Sequence, residues 1–450
     1  METNALDTTG TSNIVDSPIS DAQPKKWSFF EKLGFRFIAS FFMLFVFPFP
    51  LTQIPQIGVV LRYYNQLMEF ITLQTGKYVW GIQETFKNTP NGSGDRLYNW
   101  ANYGTILILA IVITLVWTAL DRRRPAYRIL SKWFALFVTY YLAAFMFSYG
   151  FAKVFYLQFG FPSFERLFQT YGHSSPMRLM WTFMGASKTY TVFAGMSEVI
   201  AGGLLIFRHT RVLGGLVAFG VMFNIFLMNM SYDIPVKLFS FQLMAMGLFI
   251  ALMDYRRLLN LFVLNKDRLP ATIHQPIFMT RRKRLILIGV QTLLMGYVIY
   301  SNVSWGMESR KKYGDLKPKP ALYGIYNVDK FMQNGQEVPP LVTDTTRWNR
   351  LLINYVGRAS IMMMDDRYQR YRVKTDTVKK EMTFSTRKDT VNKYILKYEQ
   401  IGKDLKLSGV LKKDTLDITL KHYPLKKFSL INRGFNWVNP VPYNRYKDSY

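Results

Sequence analysis

Up to about residue 300 the chain alternates long apolar runs with short basic connections; beyond it, apolar and polar residues alternate over short stretches. The first pattern predicts membrane-spanning helices, which need about 20 apolar residues each. The second predicts strands, whose successive side chains point to opposite faces. Apolar runs at 37–51, 103–120, 133–155, 190–207, 212–230, 236–253 and 285–300 predict about seven spans. Between the first two, Val59, Leu61, Tyr64, Leu67, Met68 and Ile71 recur at helical spacing and predict an amphipathic helix lying on the membrane surface. Pro48 and Pro50 end the first run, and NTPNGSGD at 88–95 is a turn. Between the third and fourth spans, Ser175 and Pro176 are a helix start, predicting a short helix over 176–183 with Arg178 and Trp181 at headgroup level.

In the C-terminal part, runs such as LYGIYNV, WNRLLINYV, RASIMMM, YILKYEQ, TLDITLKHY and KFSLI are separated by turn sequences NG, DD, KTDT, GKD and KKDT. They predict eight or nine strands in an antiparallel meander able to close into a small barrel, with the aromatics of RGFNWVNPVPYNR covering an open end. The fold class is therefore an α-helical integral membrane bundle followed by an antiparallel β-meander or small β-barrel. The expected divisions are a disordered cytoplasmic tail at 1–24, a transmembrane domain at 25–305 and an extracytoplasmic β-rich domain at 315–450.

Charge orients this arrangement. Lys25 to Arg36, Arg122 to Arg128, Arg208 with Arg211, and Arg256 to Arg284 fall in alternate connections, where the positive-inside rule places the cytoplasm. The N-terminus is then inside and everything after residue 300 outside. The formal charge of +28 has no nucleic-acid motif to go with it, so anionic lipid headgroups are the expected partner and nucleic acid is not. The absence of cysteine excludes disulfides, CxxC redox pairs and thiolate metal sites, and four scattered histidines argue against a haem. No metal ligand set is assigned, and Asp365 with Asp366 reads as a solvated turn. Electron chemistry, if any, needs a diffusible organic partner such as a quinone.

Candidate chemistry centres on Glu198, a carboxylate in the middle of an apolar run whose neighbours at three and four residues are Ala194, Gly195, Ala201 and Gly202. A charged group at such depth costs about 3 kcal/mol and small residues admit another helix, so Glu198 is expected to face protein. It lies roughly 12 Å along its helix from the outer end. Lys153, Tyr149, Asn224, Asn229, Lys237, Ser240 and Gln242 all fall in the same outer half of their spans, while the inner halves are almost purely apolar. That asymmetry argues against a through-going channel and for a pocket open to the outer side. Glu198 and Lys153 are the candidate catalytic residues, and Tyr149, Asn224, Asn229, Lys237 and Gln242 the candidate ligand-binding residues. Phe193, Met196, Met222 and Phe223 could hold an apolar ring. Each has a structural alternative: snorkelling for Lys153 and Lys237, helix-joining hydrogen bonds for the asparagines, a protonated and hydrogen-bonded acid for Glu198, and for Asp233 the N-cap of the span that follows.

YGFAKVF at 149–155, FAGMSEVIAGGLLIF at 193–207 and RVLGGLVAFGVMFNIFLMN at 211–229 resemble the DoxX family of bacterial four-helix membrane proteins, over a core of about 131–254. The C-terminal meander looks lipocalin-like. The DoxX resemblance implies a bacterial inner-membrane location and, through a family member associated with a thiosulfate:quinone oxidoreductase, a quinone-linked redox role. The resulting expectation is an inner-membrane protein with an outward-facing polar pocket for a small or lipid-like ligand. The competing expectation is a non-enzymatic envelope scaffold or assembly protein whose membrane part anchors a β-domain that binds a lipid, glycan or envelope protein.

Overall fold

The computed structural model describes residues 26–51, 56–83, 86, 88, 94–266, 280–386, 392–434 and 436–438. The expected cytoplasmic tail at 1–24, most of the 88–95 turn and much of the final aromatic run lie outside the described residues.

The helical part contains α1 (Phe29–Val46), α2 (Gly58–Tyr78), α3 (Leu97–Leu120), α4 (Arg128–Val154), α5 (Phe164–Leu167), α6 (Pro176–Ala186), α7 (Lys188–Ile206), α8 (Arg211–Ser231), α9 (Lys237–Leu252), α10 (Tyr255–Phe262) and α11 (Arg281–Lys312). Among the described residues, α3, α4, α7, α8 and α11 are long and apolar enough to cross a membrane, and the pair α9–α10, bent by 76°, makes a sixth if taken as one span. The first expected span, 37–51, corresponds to α1, which starts earlier than its apolar run and takes in Glu31, Lys32 and Arg36. Its start is a capping box: Ser28 accepts from the Glu31 amide, and the Glu31 carboxylate accepts from the Ser28 amide at 2.7 Å.

The chain divides into two compact units, Met1–Phe86 with Ala101–Phe134, and Lys87–Trp100 with Ala135–Tyr450. In the first, Arg36 is 2% exposed and donates four hydrogen bonds to described residues. It donates to Tyr127 Oη at 2.7 and 2.9 Å, to Thr118 Oγ1 at 2.9 Å and to the Asp121 carbonyl at 2.9 Å. A buried guanidinium is tolerable only with its donors satisfied in this way. Thr72 donates to Asn102 Oδ1 at 3.0 Å, joining α2 to α3.

In the second unit, glycines let helix backbones touch. A Cβ on Gly247 of α9 would lie 3.2 Å from the Gly215 carbonyl of α8, and one on Gly215 would lie 2.9 Å from the Ala251 amide. Small residues at such crossings are how apolar helices associate when no hydrophobic drive separates them from lipid. Phe239 of α9 packs its ring on Phe145 (5.1 Å) and Tyr149 (6.1 Å) of α4, and α4, α7, α8 and α9 thus form one bundle.

The β part is an antiparallel meander of β1 (Gly324–Gln333), β2 (Gln336–Glu337), β3 (Trp348–Tyr355), β4 (Arg358–Met363), β5 (Tyr368–Asp376), β6 (Glu381–Thr386), β7 (Tyr394–Ile401), β8 (Asp404–Leu411) and β9 (Asp414–His422). β1 pairs with both β3 and β9, closing an eight-stranded barrel, and β2 is a two-residue hairpin return on β1. Its turn carries Asn334 and Gly335, both at positive φ as a two-residue hairpin requires. Inward positions alternate along each strand, as in Leu351 and Ile353, Ala359 and Ile361, Tyr371 and Val373, and fill the barrel with Phe331, Trp348, Phe384, Leu407 and Ile418, each at most 3% exposed. Small eight-stranded barrels can be filled by side chains in this way.

KFSLI, expected as a strand, is instead a 3-10 turn at Leu425–Lys427 followed by α12 (Ser429–Asn432). Closure of β9 on β1 leaves no free edge for a further strand, and Phe428 packs on Phe168 and Tyr423.

Candidate functional site

The centre of the bundle is a crossing of α4 and α7. A Cβ on Gly195 would lie 2.6 Å from the Gly150 carbonyl, and one on Gly150 would lie 2.9 Å from the Gly195 carbonyl. One turn beyond each glycine stands an ionisable residue, Lys153 and Glu198, and the backbone approach forces the two together. Lys153 Nζ donates to both Glu198 oxygens at 2.8 Å. Lys153 is 6% and Glu198 1% exposed, so both charges are out of solvent and paired to each other. Tyr149, one turn before Lys153, places its ring 5.7 Å from Nζ.

This pair borders a cavity of about 170 Å³ lined by α4, α6, α7, α8 and α9. Its walls carry the aromatic rings of Phe159, Trp181, Tyr190, Phe193 and Phe239 and the thioethers of Met180, Met184, Met222 and Met228. Its polar groups are Tyr149, Lys153, Gln158, Ser197, Glu198, Asn224, Asn229 and Ser240.

Of the residues singled out from sequence, Tyr149, Lys153, Glu198, Asn224 and Asn229 line this one cavity. Asn229 Nδ2 donates to Ser240 Oγ at 2.9 Å and so also ties α8 to α9, the helix-joining role weighed for it. Among the described residues Asn224 makes only a long contact, to Met228 Sδ within its own helix, at 3.8 Å. Lys237 and Gln242 do not line the cavity. Lys237 Nζ pairs with Asp233 Oδ1 at 2.8 Å, four residues back, and Gln242 is wholly buried elsewhere on α9. Phe193 and Met222 line the cavity, whereas Met196 and Phe223 do not. Asp233 does not cap α9. It sits at φ 49°, and the amides at the helix start donate to Asp95 from the segment before α3, Leu238 N to Oδ1 at 3.2 Å and Lys237 N to Oδ2.

Two contributors to the cavity were not expected there. Tyr156, at φ 57°, turns the chain back at the end of α4 and donates from its hydroxyl to the Gly185 carbonyl of α6. The turn carries Gln158 and Phe159 onto the cavity, and Gln158 Oε1 is buried with no hydrogen-bond partner among the described residues. Such an atom is a ready acceptor for a donor entering the cavity. The second is Trp181, expected at headgroup level. α6 does begin at Pro176 with Ser175 accepting from the Arg178 amide, but it turns Trp181 inward onto Phe159, with ring centroids 5.0 Å apart. The only sequence signal for Gln158 was a polar residue within YLQFGFP. Among the described residues there is no group of three His, Asp or Glu side chains placed to hold a metal ion.

The cavity presents a paired cation and anion, an unsatisfied acceptor and an amide to a ring-sized space. A buried cavity of about 150 Å³ is enough for one benzene ring. A planar ligand with a hydroxyl or carbonyl edge would stack on the aromatic walls and direct that edge at Lys153 and Glu198.

Comparison with known proteins gives one curated relative, the uncharacterized protein YwoB of Bacillus subtilis (strain 168). It is 36% identical over 124 residues, which is 27% of this chain and 77% of YwoB. No family model matches the chain, and no solved structure matches it.

Proposed function

The chain belongs to the same family as YwoB, and from the cavity at Glu198 we propose that it is a DoxX-like protein of the bacterial inner membrane that binds a small ring-bearing ligand, with a quinone or quinol headgroup as the candidate. The observation that carries this reading is that the buried Lys153–Glu198 pair borders a space of ring size instead of being packed over on every side. An ion pair needed only for packing gains nothing from an adjoining cavity, and apolar residues of the same volume would fill that place at no loss of stability. At such a pair, a ligand hydroxyl donates to a Glu198 oxygen while Lys153 donates to the neighbouring carbonyl or hydroxyl oxygen. If the hydroxyl gives up its proton, the O–H bond breaks, an O–H bond forms on Glu198, and the ligand oxygen keeps the electron pair beside the Lys153 ammonium. The DoxX resemblance supplies the quinone class and the redox context; the residues themselves support binding and proton exchange.

The expected placement has the N-terminus in the cytoplasm and the barrel in the periplasm. It is supported by the basic connections at Arg122–Arg124, Arg208, Arg211 and Arg256–Arg257, which alternate along the apolar helices. The scaffold reading has one observation in its favour: the barrel interior is filled, so whatever the barrel binds meets its outer wall.

The test is titration of the full-length protein in lipid nanodiscs with a water-soluble short-chain benzoquinone and its quinol, following Trp181 emission, with Trp181→Phe to assign the signal. Saturable quenching that disappears in Lys153→Met/Glu198→Gln is expected. Undiminished binding in that double variant would overturn the reading.

A further inference from the structure

A second cavity, of about 450 Å³, lies between the α5 segment and the outer wall of the barrel. Phe164 of α5 is 1% exposed and packs on the outward side chains Ile325 and Leu352. Beside it, Glu165 accepts from Ser360 Oγ at 2.5 Å and from Arg370 Nη2 at 2.7 Å and Nε at 3.1 Å. Burial pushes the Glu165 carboxyl up, but the hydrogen bonds from Arg370 and Ser360 outweigh it and hold it below the usual carboxylate range. Glu165 is therefore the committed partner of Arg370.

Two further arginines on the same wall have no such partner. Arg358 of β4 and Arg372 of β5 stand directly opposite each other in the ladder and both line the cavity. Both point outward, because their neighbours Ala359, Tyr371 and Val373 are the inward, buried positions. Like charges directly across two strands destabilise the pair of strands. Among the described residues no carboxylate forms an ion pair with either one. Nearby, Lys317 Nζ stands 3.8 Å from the centre of the Tyr355 ring, and Tyr355 also lines the cavity. The wall thus keeps a cationic excess around a space far larger than an inorganic ion.

We infer that the barrel wall at Arg358 and Arg372 binds a phosphate-bearing anion. A carboxylate satisfies one guanidinium fork, whereas a phosphate offers oxygens to two at once and carries the charge that a facing arginine pair lacks. The space beside them, walled by Leu352, Tyr355 and Phe164, admits the organic part of a phosphate ester. The phosphate could arrive as the headgroup of an anionic lipid or as a free phosphate compound.

The test uses the full chain in neutral detergent, measuring the shift in unfolding temperature with inorganic phosphate, with a soluble short-chain phosphatidylglycerol, and with short-chain phosphatidylcholine as the zwitterionic control. Saturable stabilisation by phosphate, by phosphatidylglycerol, or by both is expected, the pattern identifying the source. R358Q/R372Q should weaken it by about tenfold or more, the loss of one or two charge-assisted hydrogen bonds. R358K/R372K, which keeps the charge and the fold but not the forks, should weaken it as well. K403Q/K413Q, which removes the same charge from exposed turns of the barrel, should leave it unchanged. Without ligand, R358Q/R372Q should unfold no earlier than the unaltered protein, because it relieves the facing charges. Absence of saturable stabilisation by either anion, or equal losses in R358Q/R372Q and K403Q/K413Q, would overturn the assignment.

Discussion

Gly150 and Gly195 meet back to back where α4 crosses α7, with 2.6 Å between the Gly150 carbonyl oxygen and the place a Cβ would occupy on Gly195. That contact sets the distance between Lys153 and Glu198, each one turn further along its own helix. Gly195→Ala must therefore part the helices. The expected outcome is a loss of about 1–3 kcal/mol in stability, together with loss of benzoquinone binding. Gly203→Ala on the same helix meets nothing within 4 Å and should be neutral or slightly stabilising. Thermal unfolding of both variants in one detergent checks the contrast.

Removing one member of the Lys153–Glu198 pair leaves the other charge buried alone. Lys153→Met and Glu198→Gln should each cost about 3–5 kcal/mol, whereas the double variant should recover most of that loss. Recovery of stability without recovery of ligand binding is the result that separates a functional pair from a packing pair. A double-mutant cycle on unfolding, read beside the quinone titration, measures both.

Gln158 is expected to behave in the opposite way. Its buried Oε1 has no partner among the described residues, so Gln158→Leu should leave the unfolding temperature unchanged or raise it. Binding of a hydroxyl-bearing ligand should weaken by about tenfold, the worth of one hydrogen bond. The quinol should lose more than the quinone, since only the quinol brings a donor. Equal losses for the two forms would show that Gln158 acts through the shape of the cavity.

Much of this organisation was legible in the chain because it rests on local periodicity. The helices α3, α4, α7, α8, α9 and α11, the amphipathic α2, the Ser175–Pro176 helix start and all eight barrel strands follow from spacing that neighbouring residues carry themselves. The small-residue stripe around Glu198 likewise pointed to a facing helix. What spacing could not settle was which cation would face Glu198. Lys153, expected to act with Glu198, meets it through the Gly150–Gly195 crossing, while Lys237, expected to bind ligand at similar depth, turns to Asp233. Misreadings arose where a distant segment intervened. Asp95 caps α9 from 142 residues away, so Asp233 is not needed there. Closure of β1 on β9 removes the edge that KFSLI would have required, and the reversal at Tyr156 brings in Gln158 by a turn that no periodic pattern marks.

A final prediction concerns acid. Asp315, just past α11, accepts from Arg310 Nε at 2.9 Å and Nη2 at 3.0 Å and from Lys188 Nζ at 2.7 Å, tying the start of α7 to the end of α11. The Arg310 hydrogen bonds, with those of Lys188 beside them, hold its carboxyl down at about 2 against a partial opposing effect of burial. Because the folded value lies below the ordinary carboxylate value, the native state binds this proton less readily than the unfolded chain does. The contribution to stability is then complete above about pH 4 and is lost as the pH falls through about 2. Asp315→Asn should cost about 1–2 kcal/mol at neutral pH, the lower part of what such a shift allows, since Lys188 is half exposed and its share is screened. The difference between the two proteins should shrink steadily below pH 4, and raised salt should reduce it at neutral pH. Unfolding temperatures of the native and Asp315→Asn proteins, taken from neutral pH to about pH 2, read out that convergence, and a difference independent of pH would show that Asp315 stabilises the α7–α11 junction through shape and not through charge.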